Sequence, residues 1–269
     1  MESKSDLGVS IEGASRAGEI DSKGSAEAHA IDRKLLLRDA TLQILLIVIS
    51  YLVYDSTKNL LHHDGGVEAF KNADVIIRIE RSLHIFHEIS LQQWFLSHAR
   101  AVVRASDWLY SAGFWAAVWV AAIGLYVTGK ERYKFYRGIM LISFFFAILI
   151  FALYPLAPPR LVAGVGAIDT VSELGPKLYF SSGDLIGYNE YAAMPSMHFA
   201  WSLIIVVACF EFRSLWVKAA GIIFICAMSI TIVITANHYI LDIVAAVPVA
   251  IVSLAAGYRL KRIKSPTHR

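Results

Sequence analysis

Charge and cysteine are what this chain has least of. Asp, Glu, Lys and Arg make up 17% of its 269 residues, where a soluble globular domain carries roughly a quarter. That scarcity argues against an ordinary soluble domain. The two cysteines, Cys209 and Cys226, each sit inside an apolar run. This excludes a disulfide framework, and both read as small buried hydrophobes. A net charge of +3 is too mild to suggest a nucleic-acid partner. Residues 1–30 are rich in Ser, Gly, Ala and acids but lack an apolar core. They do not read as a secretory signal peptide, and a disordered cytoplasmic tail is the expectation. No internal repeat and no separate soluble domain is evident.

What fills the chain instead is apolar. Hydrophobic residues make up 57% and the mean hydropathy is +0.54, which points to a polytopic membrane protein. A bilayer-spanning helix needs roughly 17–25 mostly apolar residues. Six segments qualify or come close: Leu35–Asp55, Asp107–Thr128, Gly138–Tyr154, Met197–Phe212, Leu215–Thr235 and Tyr239–Tyr258. The expected fold is therefore all-α, a bundle of six transmembrane helices. It forms a single domain over 31–262, followed by a basic tail at 263–269.

Lysine and arginine orient the bundle. They concentrate at Arg33, Lys34 and Arg38, at Lys130, Arg132, Lys134 and Arg137, at Arg213 and Lys218, and in the C-terminal tail. Six alternating helices place all of these on one side, which the positive-inside rule makes cytoplasmic. Both termini then face the cytoplasm. The connections 56–106 and 155–195 face outward. Within the first of these, Ala73–Leu96 alternates apolar Val75, Ile76, Ile79, Leu83, Phe86 and Ile89 with Arg78, Glu80, Arg81, His84, His87 and Glu88. The spacing predicts an amphipathic helix, lying on the outer leaflet or packed over the bundle. His84 and His87 read as part of its polar face.

The same topology gathers three distant clusters on the outer side. Arg160 follows Tyr154-Pro155-Leu156-Ala157-Pro158-Pro159, where the prolines end a helix and fix the approach of the guanidinium. Its fork of donors suits phosphate oxygens. Pro195-Ser196-Met197-His198 opens the fourth span. A helix start favours an anion, Ser196 offers a further donor, and His198 is placed to move a proton. His238 and Asp242 form H-x3-D where the fifth span gives way to the sixth. The carboxylate would fix the imidazole tautomer and leave the other nitrogen free to attack phosphorus. Ionisable groups at the edge of apolar runs are costly and are usually retained for function. Each motif alone also fits a helix cap, a snorkelling arginine or a structural His–Asp pair.

Together the motifs resemble those of the type-2 phosphatidic acid phosphatase superfamily, whose signatures are K-x6-R-P, P-S-G-H and S-R-x5-H-x3-D. Arg160 matches the first, Pro195, Ser196 and His198 the second, and His238 and Asp242 the third. The resemblance implies a phosphohistidine intermediate on His238, oriented by Asp242. It implies His198 as general acid and then base, and Arg160 and Ser196 as phosphate ligands; no metal or other cofactor is expected. The departures are Leu153 for the lysine, Leu161 for the proline, Met197 for the glycine, and Thr231-Ile232 for Ser-Arg. The pattern A-M-P-S-M-H followed by A-N-H-Y-x2-D is more similar to the inositol phosphorylceramide synthase branch. That branch passes a phosphoryl-linked headgroup between lipids.

The expected function is therefore a plasma-membrane enzyme with its site on the extracytoplasmic side. It would transfer an inositol phosphate-type headgroup, with a phospholipid or polyprenyl phosphate as substrate. The alternative within the superfamily is a lipid phosphate phosphatase acting on phosphatidic acid, phosphatidylglycerol phosphate or polyprenyl phosphate. The loop Leu161–Ala193, with Tyr188, Asn189, Glu190 and Tyr191, is expected to help select the lipid. Two other classes remain. His198, His238 and Asp242 carry the ligand types of a zinc hydrolase, and a polar cluster in a bundle also fits a transporter's proton relay.

Overall fold

The structure is a computed structural model that describes residues 38, 41–43, 45–46, 48–50, 52–53, 56, 66–176 and 189–264. The tail expected over 1–30 lies outside them, as does Tyr188. The chain divides into two compact units, Met1–Tyr54 and Asp55–Arg269. In the first, an apolar helix runs within Thr41–Ser50. All the remaining elements lie in the second. They are α1 (Val67–Ser82), α2 (Glu88–His98), α3 (Arg100–Thr128), α4 (Lys130–Leu153), a single 3-10 turn (Pro159–Leu161), a short α5 (Thr170–Leu174), α6 (Met197–Phe210), α7 (Leu215–Ile234) and α8 (Ile240–Lys264). No strand occurs among the described residues. One isolated parallel bridge joins Leu156 to Ala192.

Four of these helices are long and apolar enough to cross a membrane: α3, α4, α7 and α8. The fourth expected span is shorter than predicted, because α6 ends at Phe210 and Glu211 closes it in a turn. Its 14 residues rise only about 21 Å at 1.5 Å each. The second and third spans begin earlier than their apolar runs suggest, at Arg100 and Lys130. Helix formation does not stop where hydropathy does.

Small residues set the bundle spacing. α6 packs against α7 and α8, and α8 against α4. Buried Ala200, Ile204 and Ala208 meet Ala246, Ala250 and Ile139. Apolar surfaces in lipid gain little from mere burial, so close approach through small side chains is what joins such helices. Gly257 shows this directly: a Cβ there would lie 2.4 Å from Ile139 Cγ1. Large apolar side chains such as Val120, Val127, Phe145, Leu153, Trp216 and Ile223 point outward. Cys209 is half-buried but Cys226 is exposed, which corrects the reading of both as buried. On a helix whose outer face is apolar, an apolar neighbourhood in sequence does not mean a protein neighbourhood in space.

The amphipathic segment packs over the bundle, and it is two helices rather than one. It breaks at Leu83–His87, where His84 takes φ 58° and the backbone folds back through Ile85 N–H to Glu80 O. Ala69, Ala73, Ile76 and Ile77 of α1 form a core with Leu156, Ala157, Ala193 and Tyr239. Asn72 Nδ2 donates to Pro155 O at 2.8 Å, and Ala157 N–H to Ala69 O. At the head of α1, Gly66 (φ 78°) lies under the Tyr191 ring, where a Cβ would clash at 2.4 Å. The proline-rich connection and the approach to α6 are thus held beneath α1.

Candidate active site

His238 is held before α8, not on it. α7 ends at Ile234, Ala236 turns the chain at φ 53°, and α8 begins only at Ile240. His238 and Asp242 therefore do not share a helical face, despite their spacing of four. Asp242 reaches back as a cap instead: its Oδ2 accepts from Tyr239 N–H at 2.9 Å and lies 3.3 Å from His238 Nδ1. The closer partner of Nδ1 is the backbone carbonyl of Ala193, at 2.8 Å. A carbonyl only accepts, so Nδ1 carries the hydrogen and Nε2 holds the lone pair. His238 Nε2 has no hydrogen-bond partner among the described residues. The tautomer is therefore set by Ala193 and Asp242 jointly. The sequence pointed only to Asp242.

His198 has a different setting. Its ring stacks on Tyr110 with centroids 4.1 Å apart and planes 20° apart. Phe114 covers it at 4.3 Å. Both aromatics come from α3, around a π-helical turn at Leu109–Gly113. Such turns occur as local bulges, frequently at functional sites. The ring bonds to the Tyr110 backbone, and His198 Nε2 has no partner among the described residues. The two imidazole centroids are 6.0 Å apart.

Arg160 completes the opening. Its backbone N–H donates to Ala236 O at 3.0 Å, which ties the proline-rich connection to the His238 loop. Nε donates to Asn237 Oδ1 at 2.8 Å, and Nη1 to Asp169 Oδ2 at 3.1 Å. The Arg160 side chain is 6% exposed and that of Asp169 28%, so the pair is shielded on the arginine side. Asp169 also caps α5 through Ser172 N–H. A small pocket opens here, lined by Tyr110, Pro158, Arg160, Asn189, Glu190, Ala192, Ala193, Asn237 and His238.

The five predicted site residues thus gather in one region, in different settings. Arg160 and His238 line the pocket, while Asp242 lies fully buried behind them. His198 sits beside His238 in its aromatic setting. Ser196 is also fully buried. Its Oγ caps α6 by accepting from Phe199 N–H at 3.4 Å, and its N–H donates to Asp242 O. His84 and His87 are exposed, as a polar face requires, but Glu80 and Glu88 of the same segment are fully buried. Amphipathic spacing assigned those carboxylates to solvent, but Glu80 follows Ala69, Ala73, Ile76 and Ile77 on the buried face of α1, and Glu88 opens α2 beyond the break at Leu83–His87. The sequence reading also missed Tyr110, Asp169 and the Ala193 carbonyl. Asn237 had one signal, its place beside His238 in A-N-H. No group of three or more His, Cys, Asp or Glu side chains among the described residues is arranged to hold a metal ion.

A model of the PAP2 superfamily matches residues 74–256, a stretch that contains Arg160, Ser196, His198, His238 and Asp242. No curated protein and no solved structure matches the chain. With an all-helical fold, membrane-length helices and a family match over more than half its length, this chain belongs to the PAP2 superfamily.

Proposed function

We propose that the protein transfers a phosphoryl-linked headgroup, of inositol phosphate type, from one membrane lipid to another through a phosphohistidine on His238. The observation that carries this reading is the orientation of His238. Nδ1 is bonded to Ala193 O and Asp242, and the unpartnered Nε2 belongs to a residue lining the pocket with Arg160. In the first half-reaction Nε2 attacks phosphorus and the bond to the leaving lipid oxygen breaks. His198 gives that oxygen its proton. In the second half, His198 takes a proton from the acceptor hydroxyl, which attacks phosphorus and frees His238. Asp242 stabilises the positive charge that forms on the His238 ring. Arg160 and Ser196 are the phosphate ligands.

Pocket charge favours a diester donor. Arg160 is the one cationic side chain among the described lining residues, and Asp169 already shares it. Glu190 adds a carboxylate to the lining. A phosphomonoester brings nearly two negative charges and a phosphodiester one. The second reading, a lipid phosphate phosphatase using water as acceptor, needs the same two histidines and is favoured by a monoester substrate. In either case we propose a plasma-membrane protein whose lysine and arginine pattern orients six spans with the site outside the cytoplasm.

Purified protein given phosphatidylinositol with a labelled headgroup and a lipid alcohol tests the choice. The proposal expects label on the alcohol. Phosphate release from phosphatidic acid with no transfer would establish the phosphatase reading instead.

A further inference from the structure

A helix start leaves several backbone N–H groups without intrahelical partners. At the start of α8, three consecutive N–H groups each meet a carboxylate. Tyr239 N–H donates to Asp242 Oδ2 at 2.9 Å. Ile240 N–H donates to Glu88 Oε1 at 2.8 Å, and Leu241 N–H to Glu80 Oε1 at 2.7 Å. The first is local. The other two come from α1 and α2, more than 150 residues earlier. Glu80 and Glu88 are each 0% exposed. Neither forms a salt bridge among the described residues. The second oxygen of each, Oε2, has no donor there.

Two buried carboxylates side by side without a cation do not both ionise. One proton between the two Oε2 atoms removes the repulsion and gives both orphan oxygens a partner. We infer that Glu80 and Glu88 are positioning residues that share one proton and clamp the start of α8, holding Asp242 against the Nδ1 of His238. Glu80 carries the proton. Its O–H donates to Glu88 Oε2, while its carbonyl oxygen accepts from Leu241 N–H. Glu88 Oε1 meanwhile accepts from Ile240 N–H at the head of α8, where the helix dipole favours an acceptor. The inference rests on His238 being the nucleophile only for its effect on turnover.

The groups facing the pair fit this assignment. Toward Glu80 come Glu88 from α2 and Asp242 from α8. Tyr239 lies beside both glutamates, with Asp74 of α1 nearby, and His238 lies beyond Asp242. None of these supplies a fixed positive charge. Burial, and then the hydrogen bond with Glu88, push the Glu80 carboxyl up to about 9 from an ordinary 4.5. The native state therefore holds a proton there that the unfolded chain has released. Stability from this site is full below about 4.5, falls as pH rises, and is gone above about 9.

The test uses the full chain in a detergent without carbonyl groups. Infrared difference spectra between neutral and alkaline pH should show a protonated carboxyl band in the wild type that titrates away near pH 9. Glu80→Gln should lack it. Glutamine keeps both contacts, donating to Glu88 and accepting from Leu241. This variant should therefore keep neutral turnover within about twofold while losing the alkaline fall, and its melting temperature should gain on the wild type as pH rises. Glu80→Ala should lose roughly tenfold in turnover at neutral pH, a deficit that shrinks as the wild type itself falls in alkali. Absence of the titrating band from the wild type overturns the inference, whatever the variants do. So do parallel pH curves for wild type and Glu80→Gln. If no lipid phosphate is turned over, the catalytic reading fails, while the infrared and melting readouts still decide the shared proton.

Discussion

The two histidines stand 6.0 Å apart in settings of opposite kind. His238 is bolted by polar contacts: the Ala193 carbonyl and Asp242 on Nδ1, with Arg160 and Asn237 beside it. His198 is packed by aromatic faces, Tyr110 and Phe114, with Trp201 behind Phe114. The polar setting fixes one tautomer and one lone pair, which is what a nucleophile needs. The aromatic setting fixes the plane of the ring, with a bond to the Tyr110 backbone and no carboxylate beside it.

The contrast breaks first at His238. His238→Ala should lower turnover by roughly a thousandfold or more, measured as steady-state product formation from the best lipid donor. His198→Ala should cost about 10²–10⁴. With a donor whose leaving group needs no proton, such as a nitrophenyl phosphate ester, its first half-reaction should recover as a burst of nitrophenol. If that burst is missing, the division of labour between the two rings is wrong. Asp242→Asn removes the charge but keeps an acceptor, so roughly a ten- to hundredfold loss in kcat is expected, the worth of one charge-assisted hydrogen bond. The smallest change sharpens the pocket side. Asp169→Asn removes the negative charge facing Arg160 and should lower KM for a phosphomonoester by about threefold relative to a diester, since such partly exposed pairs are worth about 0–1 kcal/mol. Competition between the two substrates measures it.

Much of this arrangement was legible from local pattern. Apolar runs marked the helices, and lysine and arginine grouped their ends. Arg160, His198, His238 and Asp242 stood out because polar residues at the edges of such runs are rare. The less legible features depend on partners far away in the chain. Nothing near Arg160 announces Asp169, because α5 is too short to show a period. Glu80 and Glu88 looked solvated, since a charged residue on an amphipathic helix reads as outward-facing, whereas Glu80 lies on the face of α1 that packs inward and Glu88 opens a second helix after the break. The 2.8 Å bond from His238 to Ala193 O is invisible for another reason: a backbone carbonyl carries no residue identity. Cys226 misled in the opposite direction, because in a membrane bundle apolar sequence marks the lipid-facing surface as well as the core.

The most direct measurement is to quench the enzyme during turnover of a donor carrying labelled phosphorus and map the label. An acid-labile, base-stable label on His238 is expected in the wild type, persisting or accumulating in His198→Ala with an activated donor and absent from His238→Ala. Label on another residue, or turnover that survives in His238→Ala, would contradict the assignment of His238 as the attacking group.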